Sequence, residues 1–493
     1  MPDVNPERTL IIDLAGPELS PAEARWLRNH PVGGVCLFAR NITTPERTAR
    51  LVADIRGALE RDVLIATDQE GGAVLRRLDV PAAPTPQGLG VLDDEHAAYH
   101  AGQVAARGLL ELGINWNYAP SVDVNVDPLN PVIGERSFGA DPERVAALGV
   151  AWARGSEDAG VLSAVKHFPG HGDTRVDSHL ALPVVDKPRA ALEAAEWVPF
   201  HAAVRAGLGS VMTAHILYPA LDAEHPATLS PALLTGLLRR EWGYGGVVVT
   251  DAMDMKAVAD RYPDGQGAGL ALSAGADAVL VCGHGDASLH DVHTRALDRA
   301  MRGGALTEAR VAEAVARLDR AAARFPGTPR PYGAAQRDAD ARLVDGWAAR
   351  MLTWHGEHVH FDPARPALLI APTQPDVGGP YGDSVSGEAL AEALRETLPR
   401  LSFVAADDPG AARAALDAQP DVPVLLATTG RWGVPDGTRV LAAHLTRRAA
   451  PALHLALWAP DAVEALPLPA VVTHGFRAAN LRALAGALVR ASA

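Results

Sequence analysis

Residues 166–179 read KHFPGHGDTRVDSH, the densest gathering of proton-transferring side chains in the chain. One lysine, three histidines and two aspartates share the stretch with Pro169, Gly170, Gly172 and Ser178. Charged side chains are rarely buried without partners, and breakers this close together rule out a helical face. The segment is therefore predicted as a loop at a strand end, rich enough in glycine to approach a ligand closely. Three uses compete for it. Its polar groups could simply satisfy one another. His167, His171, Asp173, Asp177 and His179 could hold a metal, although their spacing matches no zinc pattern such as H-E-x-x-H. The favoured use is acid/base work. Asp177 and His179 stand two apart, so the carboxylate can accept a hydrogen bond from one ring nitrogen and leave the other for a substrate. A histidine near its ordinary pKa of about 6.5 can protonate a leaving oxygen and then serve as base at neutral pH.

Such a pair needs a nucleophile or a stabilising charge from another strand end. GGVVVTDAMDM at 245–255 offers Asp251, directly after a run of β-forming valines and a threonine. Asp254 is the rival, placed further on, where a carboxylate commonly caps a helix or meets its dipole. Asp251 is preferred because it belongs at the rim of the strand.

The elements that must carry these residues recur at intervals over the first 325 residues. Apolar, β-branched runs at 9–14, 32–38, 63–67, 114–119, 162–165, 210–213, 247–250 and 278–281 are the predicted strands, with amphipathic helical stretches between most of them. Eight such units fit a (β/α)8 barrel or a doubly wound open sheet. Polar residues follow most of the runs: Arg40 and Asn41, Asp68 and Glu70, Asp123, Lys166 and His167, His215, Asp251. Chemistry spread over many strand ends is the barrel pattern, whereas an open sheet concentrates it at one switch point, and no glycine-rich nucleotide signature follows the first strand. The Pro/Gly-rich FPGTPRPYG at 325–333 marks a boundary. The expected organisation is a catalytic barrel at 1–325, a linker at 326–333 and a smaller three-layer α/β domain at 334–493. That domain would have a helix at 334–354, strands at 367–371, 401–405, 422–427, 453–457 and 470–473, and helices at 386–398 and 478–490.

With 493 residues the chain exceeds what one core supports, so two domains are expected on length alone. A net charge of −14 argues against a nucleic-acid partner, and no apolar run approaches the length of a membrane span. Only Cys36 and Cys282 occur, each in an apolar segment, and they read as core thiols rather than a disulfide or zinc framework. The N-terminal MPDVNPERTLIIDLAG lacks the basic start and apolar stretch of a signal peptide, so a cytoplasmic location is expected.

KHFPGHGDTRVDSH together with TDQEGG at 67–72, GERSFG at 134–139 and TDAMDM at 250–255 resembles the β-N-acetylglucosaminidase branch of glycoside hydrolase family 3. The similarity covers essentially the first 325 residues. It implies a retaining double displacement on a (β/α)8 barrel, without cofactor or metal, in which a carboxylate attacks the anomeric carbon and water later releases the sugar. Asp251 matches the family nucleophile, His179 its histidine acid/base and Asp177 the partner of that histidine. Sugar recognition falls on Asp68, Arg76, Arg136, Lys166 and His167, a carboxylate and cationic donors suited to hydroxyls that both donate and accept. The implied substrate is an N-acetylglucosaminyl muropeptide or disaccharide from cell-wall recycling. A phosphorylase that uses phosphate in place of water, an inactive sugar-binding protein and a metal-dependent hydrolase are the alternatives. Two departures stand out: Ala73 occupies a position where the family commonly has arginine, and TDAMDM replaces its frequent S-D-D-L-S-M.

Overall fold

The computed structural model describes residues 4–374, 384–431 and 433–489. Eight short strands form its first layer: β1 (Leu10–Ile12), β2 (Gly34–Cys36), β3 (Leu64–Thr67), β4 (Trp116–Asn117), β5 (Leu162–Phe168), β6 (Ser210–Thr213), β7 (Val247–Val249) and β8 (Val279–Val281). They pair in parallel in the order β7-β6-β5-β4-β3-β2-β1-β8. A bridge between Val249 and Ala278, with the Ala278 N–H donating to Val248 O at 3.1 Å, brings the two ends together. The sheet is thus a parallel (β/α)8 barrel, as the spread of polar strand ends predicts.

Period-two alternation explains how short strands hold the barrel. Ile11, Cys36, Leu64, Ala66, Trp116, Leu162, Ala164, Met212, Val247, Val249 and Leu280 form the interior cluster, floored by Leu318, Ala322 and Phe325. Their neighbours Leu10, Ile12, Val35, Ile65, Val165, Val211, Val248, Val279 and Val281 face the helices instead. Both faces are covered, so the strands read as continuous apolar runs. Several helices start at a capping residue followed by proline: Ser20-Pro21, Thr44-Pro45, Thr85-Pro86 and Asp141-Pro142, each side chain accepting from a first-turn N–H.

β5 departs from expectation. It runs to Phe168, three residues beyond the predicted end, so Lys166 and His167 are strand residues and the loop begins only after them. The pairing with β6 shifts between Val165 and Phe168, and Ser121 bridges Lys166. Polar side chains are tolerated there because they point into the barrel mouth, where they find charged partners.

Past the helix Glu308–Arg324, the Pro/Gly-rich stretch is fastened beneath the barrel: Asn115 Nδ2 donates to Phe325 O (2.6 Å), Arg56 Nη1 to Gly327 O (2.9 Å) and the Arg330 N–H to Leu110 O (3.2 Å). A helix follows at Ala334–Met351, three residues shorter than expected because the chain turns into an unforeseen edge strand, β9 (Thr353–His355). It is joined by β10 (Ala367–Ala371), β11 (Leu401–Ala405), β12 (Val424–Thr428), β13 (Ala452–Ala456) and β14 (Ala470–Val472) in the order β11-β10-β12-β13-β14-β9. Only β9 pairs antiparallel. One face packs Leu369, Leu425 and Leu455 against the helices Gly387–Arg395 and Ala478–Val489, the other Leu368, Ile370 and Leu426 against Pro409–Asp417 and Asp436–Leu445. This is the expected three-layer arrangement. Among the described residues no helix is long and apolar enough to cross a membrane.

Candidate active site

The C-terminal ends of the barrel strands converge on a cavity of about 360 Å³. Asp68, Arg76, Arg136, Lys166, His167, His179 and Asp251 all line it, and Asp177 stands behind His179. A larger, open depression lies on the outer wall between helices of the ring, away from the strand ends.

One wall is a buried charge cluster. Glu70 accepts both arms of the Arg136 guanidinium, Nε at 2.8 Å and Nη2 at 2.7 Å, and its Oε1 also meets Lys166 Nζ at 2.6 Å. Asp68 accepts from Lys166 Nζ at 3.0 Å and from Arg76 Nη2 at 3.2 Å. Burial opposes ionisation of Glu70, but Arg136 and Lys166 outweigh it and hold the carboxyl far below the usual range. Burial likewise works against the Lys166 cation, and Glu70 and Asp68 outweigh it to push its pKa up. Two carboxylates and three basic side chains therefore face the cavity in fixed pairs, a set of donors and acceptors for the polar groups of a ligand. Gln69 fixes the loop that carries Arg76, its Oε1 accepting the N–H groups of Arg76 (2.9 Å) and Arg77 (3.0 Å). Gly71, at φ +126°, is required where a Cβ would sit 2.2 Å from Pro84 O.

His167 is oriented by Asp123. The Asp123 carboxylate accepts from His167 Nδ1 (2.7 Å), from the His167 N–H (3.2 Å) and from the His171 N–H (2.6 Å). Burial opposes its charge, but His167 and His171 outweigh it and lower its pKa to about 2. Nδ1 therefore carries a proton toward Asp123, and Nε2 lies 3.4 Å from Arg136 Nη2.

The same cavity holds the acid/base and nucleophile candidates. His179 Nδ1 lies 2.7 Å from Asp177 Oδ1, which also accepts the His179 N–H at 2.8 Å. The Asp177 side chain is 9% exposed and that of His179 43%, so the carboxylate backs the ring and the other nitrogen is open. Burial disfavours the imidazolium, yet the Asp177 hydrogen bond and the charges of Asp251 and Asp177 outweigh it and raise the His179 pKa. Asp251 follows β7 and accepts the Ala252 N–H at 2.8 Å. Burial works against its charge, but the imidazoles of His167, His215 and His179 and the Ala252 N–H hold it below the usual carboxylate range. The pair thus presents an ionised carboxylate and a proton-bearing histidine to one cavity.

Asp254 is not a helix cap. The short helix Lys256–Ala259 has Met255 at its N-cap, and Asp254 Oδ1 instead accepts the Cys282 N–H at 3.2 Å on the cavity rim. Burial, with Asp13 and Asp251 nearby, pushes its carboxyl up. The metal reading of the histidine loop does not fit the geometry, because the donors are directed to different partners. His171 bonds Thr174 Oγ1 (2.8 Å) and Ser178 Oγ (3.1 Å), Asp173 pairs with Lys187 Nζ (2.7 Å), and Asp177 serves His179. Among the described residues no three such groups gather as a metal site. Burial and the neighbouring His167 lower the His171 pKa to about 4, so this ring is a neutral brace.

Arg40, Glu70, Asp123 and His215 are strand-end residues without an assigned role in the sequence reading. His215 Nε2 donates to Ala252 O at 2.9 Å and so steadies the turn that carries Asp251. Gln69 and Asp13 are further positions that sequence reasoning missed. Cys36 is buried as expected, whereas Cys282 is only partly buried, and both face the cavity. The one legible signal for Glu70 was its place two residues after Asp68 at a strand end.

A parallel barrel with a carboxylate, a histidine–aspartate pair and a charged cavity at its C-terminal mouth has the arrangement of the barrel enzymes, whose sites sit at that face. The chain belongs to glycosyl hydrolase family 3: residues 8–321 match the model of the glycosyl hydrolase family 3 N terminal domain. It is 39% identical over 285 residues to beta-hexosaminidase A of Pseudoalteromonas piscicida, covering 53% of this chain and 48% of that protein, so it spans about half the length of this relative. It is 40% identical over 286 residues to a beta-hexosaminidase of Alkalilimnicola ehrlichii, covering 56% of this chain and 81% of the relative. A solved glycoside hydrolase family 3 beta-N-acetylglucosaminidase from Paenibacillus sp. str. FPU-7 superposes with a TM-score of 0.87 at 31% identity, covering 99% of this chain and 96% of that one.

Proposed function

We propose that the protein is a retaining exo-β-N-acetylglucosaminidase that removes terminal β-linked N-acetylglucosamine from peptidoglycan fragments in cytoplasmic cell-wall recycling. The observation that carries this reading is the Asp177–His179 pair, 2.7 Å apart, facing the cavity that Asp251 also lines. The names of the similar family members support the sugar.

Asp251 attacks the anomeric carbon while His179 gives its proton to the departing oxygen, forming a glycosyl ester on Asp251. His179, now neutral, takes a proton from water, which attacks the same carbon from the vacated side and frees both sugar and carboxylate. Two inversions at one carbon return the β anomer. Asp177 fixes the tautomer and stabilises the imidazolium, while Asp68, Arg76, Arg136, Lys166 and His167 hold the ring so that the bond faces the pair. Catalysis is assigned to residues 1–325, with 334–493 as a separate domain beyond a linker.

The test incubates wild type, His179→Ala and Asp251→Ala with 4-nitrophenyl β-N-acetylglucosaminide, with and without phosphate and chelator, and follows the sugar by NMR. Free β-N-acetylglucosamine appearing first, independent of both additions and lost in Asp251→Ala, supports the proposal. A sugar 1-phosphate makes the enzyme a phosphorylase, and an α product overturns retention. Activity on a purified N-acetylglucosaminyl-anhydromuropeptide tests the natural substrate, and cell fractionation the location.

A further inference from the structure

Two loops carry the charged wall of the cavity, and both are gripped by the second domain. Arg431, just beyond β12, has a side chain 1% exposed and donates to Glu135 Oε2 from Nε and from Nη2, each at 3.0 Å. Its Nη1 reaches Pro131 O at 3.4 Å, and its guanidinium lies 5.9 Å from the Trp458 ring centroid. Glu135 is the residue before Arg136 in the short turn Gly134–Arg136. On the other loop, Arg477 Nε donates to Gly72 O at 2.6 Å, and Ala73 and Val74 are buried in the second domain's apolar cluster beside Trp458 and Phe476. That burial accounts for Ala73, since a long cation there would have to enter this cluster. The gripped loops are the two that the Glu70–Arg136 pair joins. The hydrogen bonds of Asp177, His179 and Asp251 described above run instead to barrel residues.

In open parallel sheets, ligands sit outside the carboxyl ends of the strands where the strand order reverses. Here that point lies between β10 and β12, and Arg431 leaves the end of β12 to hold the barrel's own turn.

We propose that Arg431 is a positioning residue for sugar binding, acting through Glu135 to fix Arg136 on Glu70, so that the second domain sets how tightly the ring is held. This rests on the reading of Arg136 as a sugar-binding residue. Without Arg431 the buried Glu135 carboxyl loses its cationic partner and the turn loses its bonds to the second domain, which frees it to shift, moves Arg136 and leaves the catalytic pair in place.

The experiment compares Arg431→Ala, Arg431→Lys and Glu135→Gln with Arg107→Ala, which breaks a different buried contact to the second domain, that with Asp340. Arg431→Ala is expected to raise KM for the nitrophenyl glycoside, and Kd for N-acetylglucosamine, by roughly 10-fold or more with kcat within about 3-fold, as a small displacement of a binding group does. Arg431→Lys recovers part of the loss, Glu135→Gln behaves like Arg431→Ala, and Arg107→Ala leaves KM unchanged. An unchanged KM in Arg431→Ala, a loss wholly in kcat, or the same change in Arg107→Ala overturns the proposal. Should wild type neither bind nor cleave N-acetylglucosaminides, the functional reading fails by itself. Hydrogen exchange in the sugar-free protein then decides: faster exchange at 131–137 and 68–76 in Arg431→Ala alone supports the positioning role, and unchanged exchange overturns it.

Discussion

Asp251 and His179 are held in opposite charge states, the carboxylate by the imidazoles around it and the imidazole by Asp177 and Asp251. The carboxyl lies below its ordinary value of 3.8 and the imidazole above its ordinary 6.5, so the anion–cation form spans the interval between them. The free enzyme's kcat/KM is therefore expected to rise with pH along an acid limb below 3.8 and to fall along a basic limb above 6.5, as His179 loses its proton. Asp177→Asn removes the hydrogen bond and charge that raise the His179 pKa, so its basic limb should shift to lower pH. A limb that stays put in that variant's pH–rate profile refutes the assignment of Asp177. His179→Ala should lower kcat by about 10²–10⁴ for a sugar leaving group, and by much less for nitrophenolate, which departs without a proton. Equal losses on both substrates would place His179 outside proton transfer. At this scale Asp177, His179 and Asp251 were legible because spacing within one loop, or direct succession to a valine run, fixes where a side chain points. Glu70 was not, because its partners Arg136 and Lys166 come from beyond other strands, and Gln69 was not, because its amide serves the backbone of an irregular loop that carries no periodic pattern.

β5 gathers more of the site than any other strand, and Asp123 holds its end in place. That buried carboxylate accepts hydrogen bonds from the backbone of both His167 and His171 and from the His167 ring. Its pKa, about 2, lies below that of an unfolded aspartate near 3.9, so its contribution to stability is complete above about 4 and is lost as pH falls from there toward 2. Asp123→Asn should consequently lose less stability than wild type between pH 5 and pH 3 in urea titrations, while starting lower and showing reduced activity at neutral pH. An identical pH slope in the two proteins would mean that Asp123 is not the responsible group. The strands were readable since each is an apolar run buried on two faces. The extension of β5 was not, because Lys166 and His167 interrupt the run and belong to a strand only through partners distant in sequence. β9 escaped notice for a related reason: it is three residues long, lies at an edge, and its Trp354 and His355 carry no alternation to read.

Across the whole molecule, the two sheets are joined by buried charge as well as by apolar contact. Asp340, fully buried on the first helix after the barrel, receives Arg107 Nε and Nη2 at 2.7 Å each and the Tyr332 hydroxyl at 2.6 Å. Arg337, one turn earlier, meets both oxygens of Glu111 at 2.8 and 2.7 Å, and Glu111 in turn receives the buried Arg77. Removing one partner from a buried pair costs about 3–5 kcal/mol, so Arg107→Ala should lower the unfolding free energy by an amount of that order in denaturant titration. A change below about 1 kcal/mol would show that the contact is not holding the halves together. The Pro/Gly-rich stretch was legible as a break in pattern, but its fastening under the barrel was not, since Asn115, Arg56 and Leu110 give no local sign of it. That fastening has a thermodynamic consequence. A loose tether would let each half melt at its own temperature, whereas a strap held by three barrel residues and continued by buried ion pairs couples their unfolding. Scanning calorimetry should accordingly record a single heat-absorption peak with calorimetric and van't Hoff enthalpies in agreement. Two resolved peaks would mean that the halves are thermodynamic neighbours and not one unit.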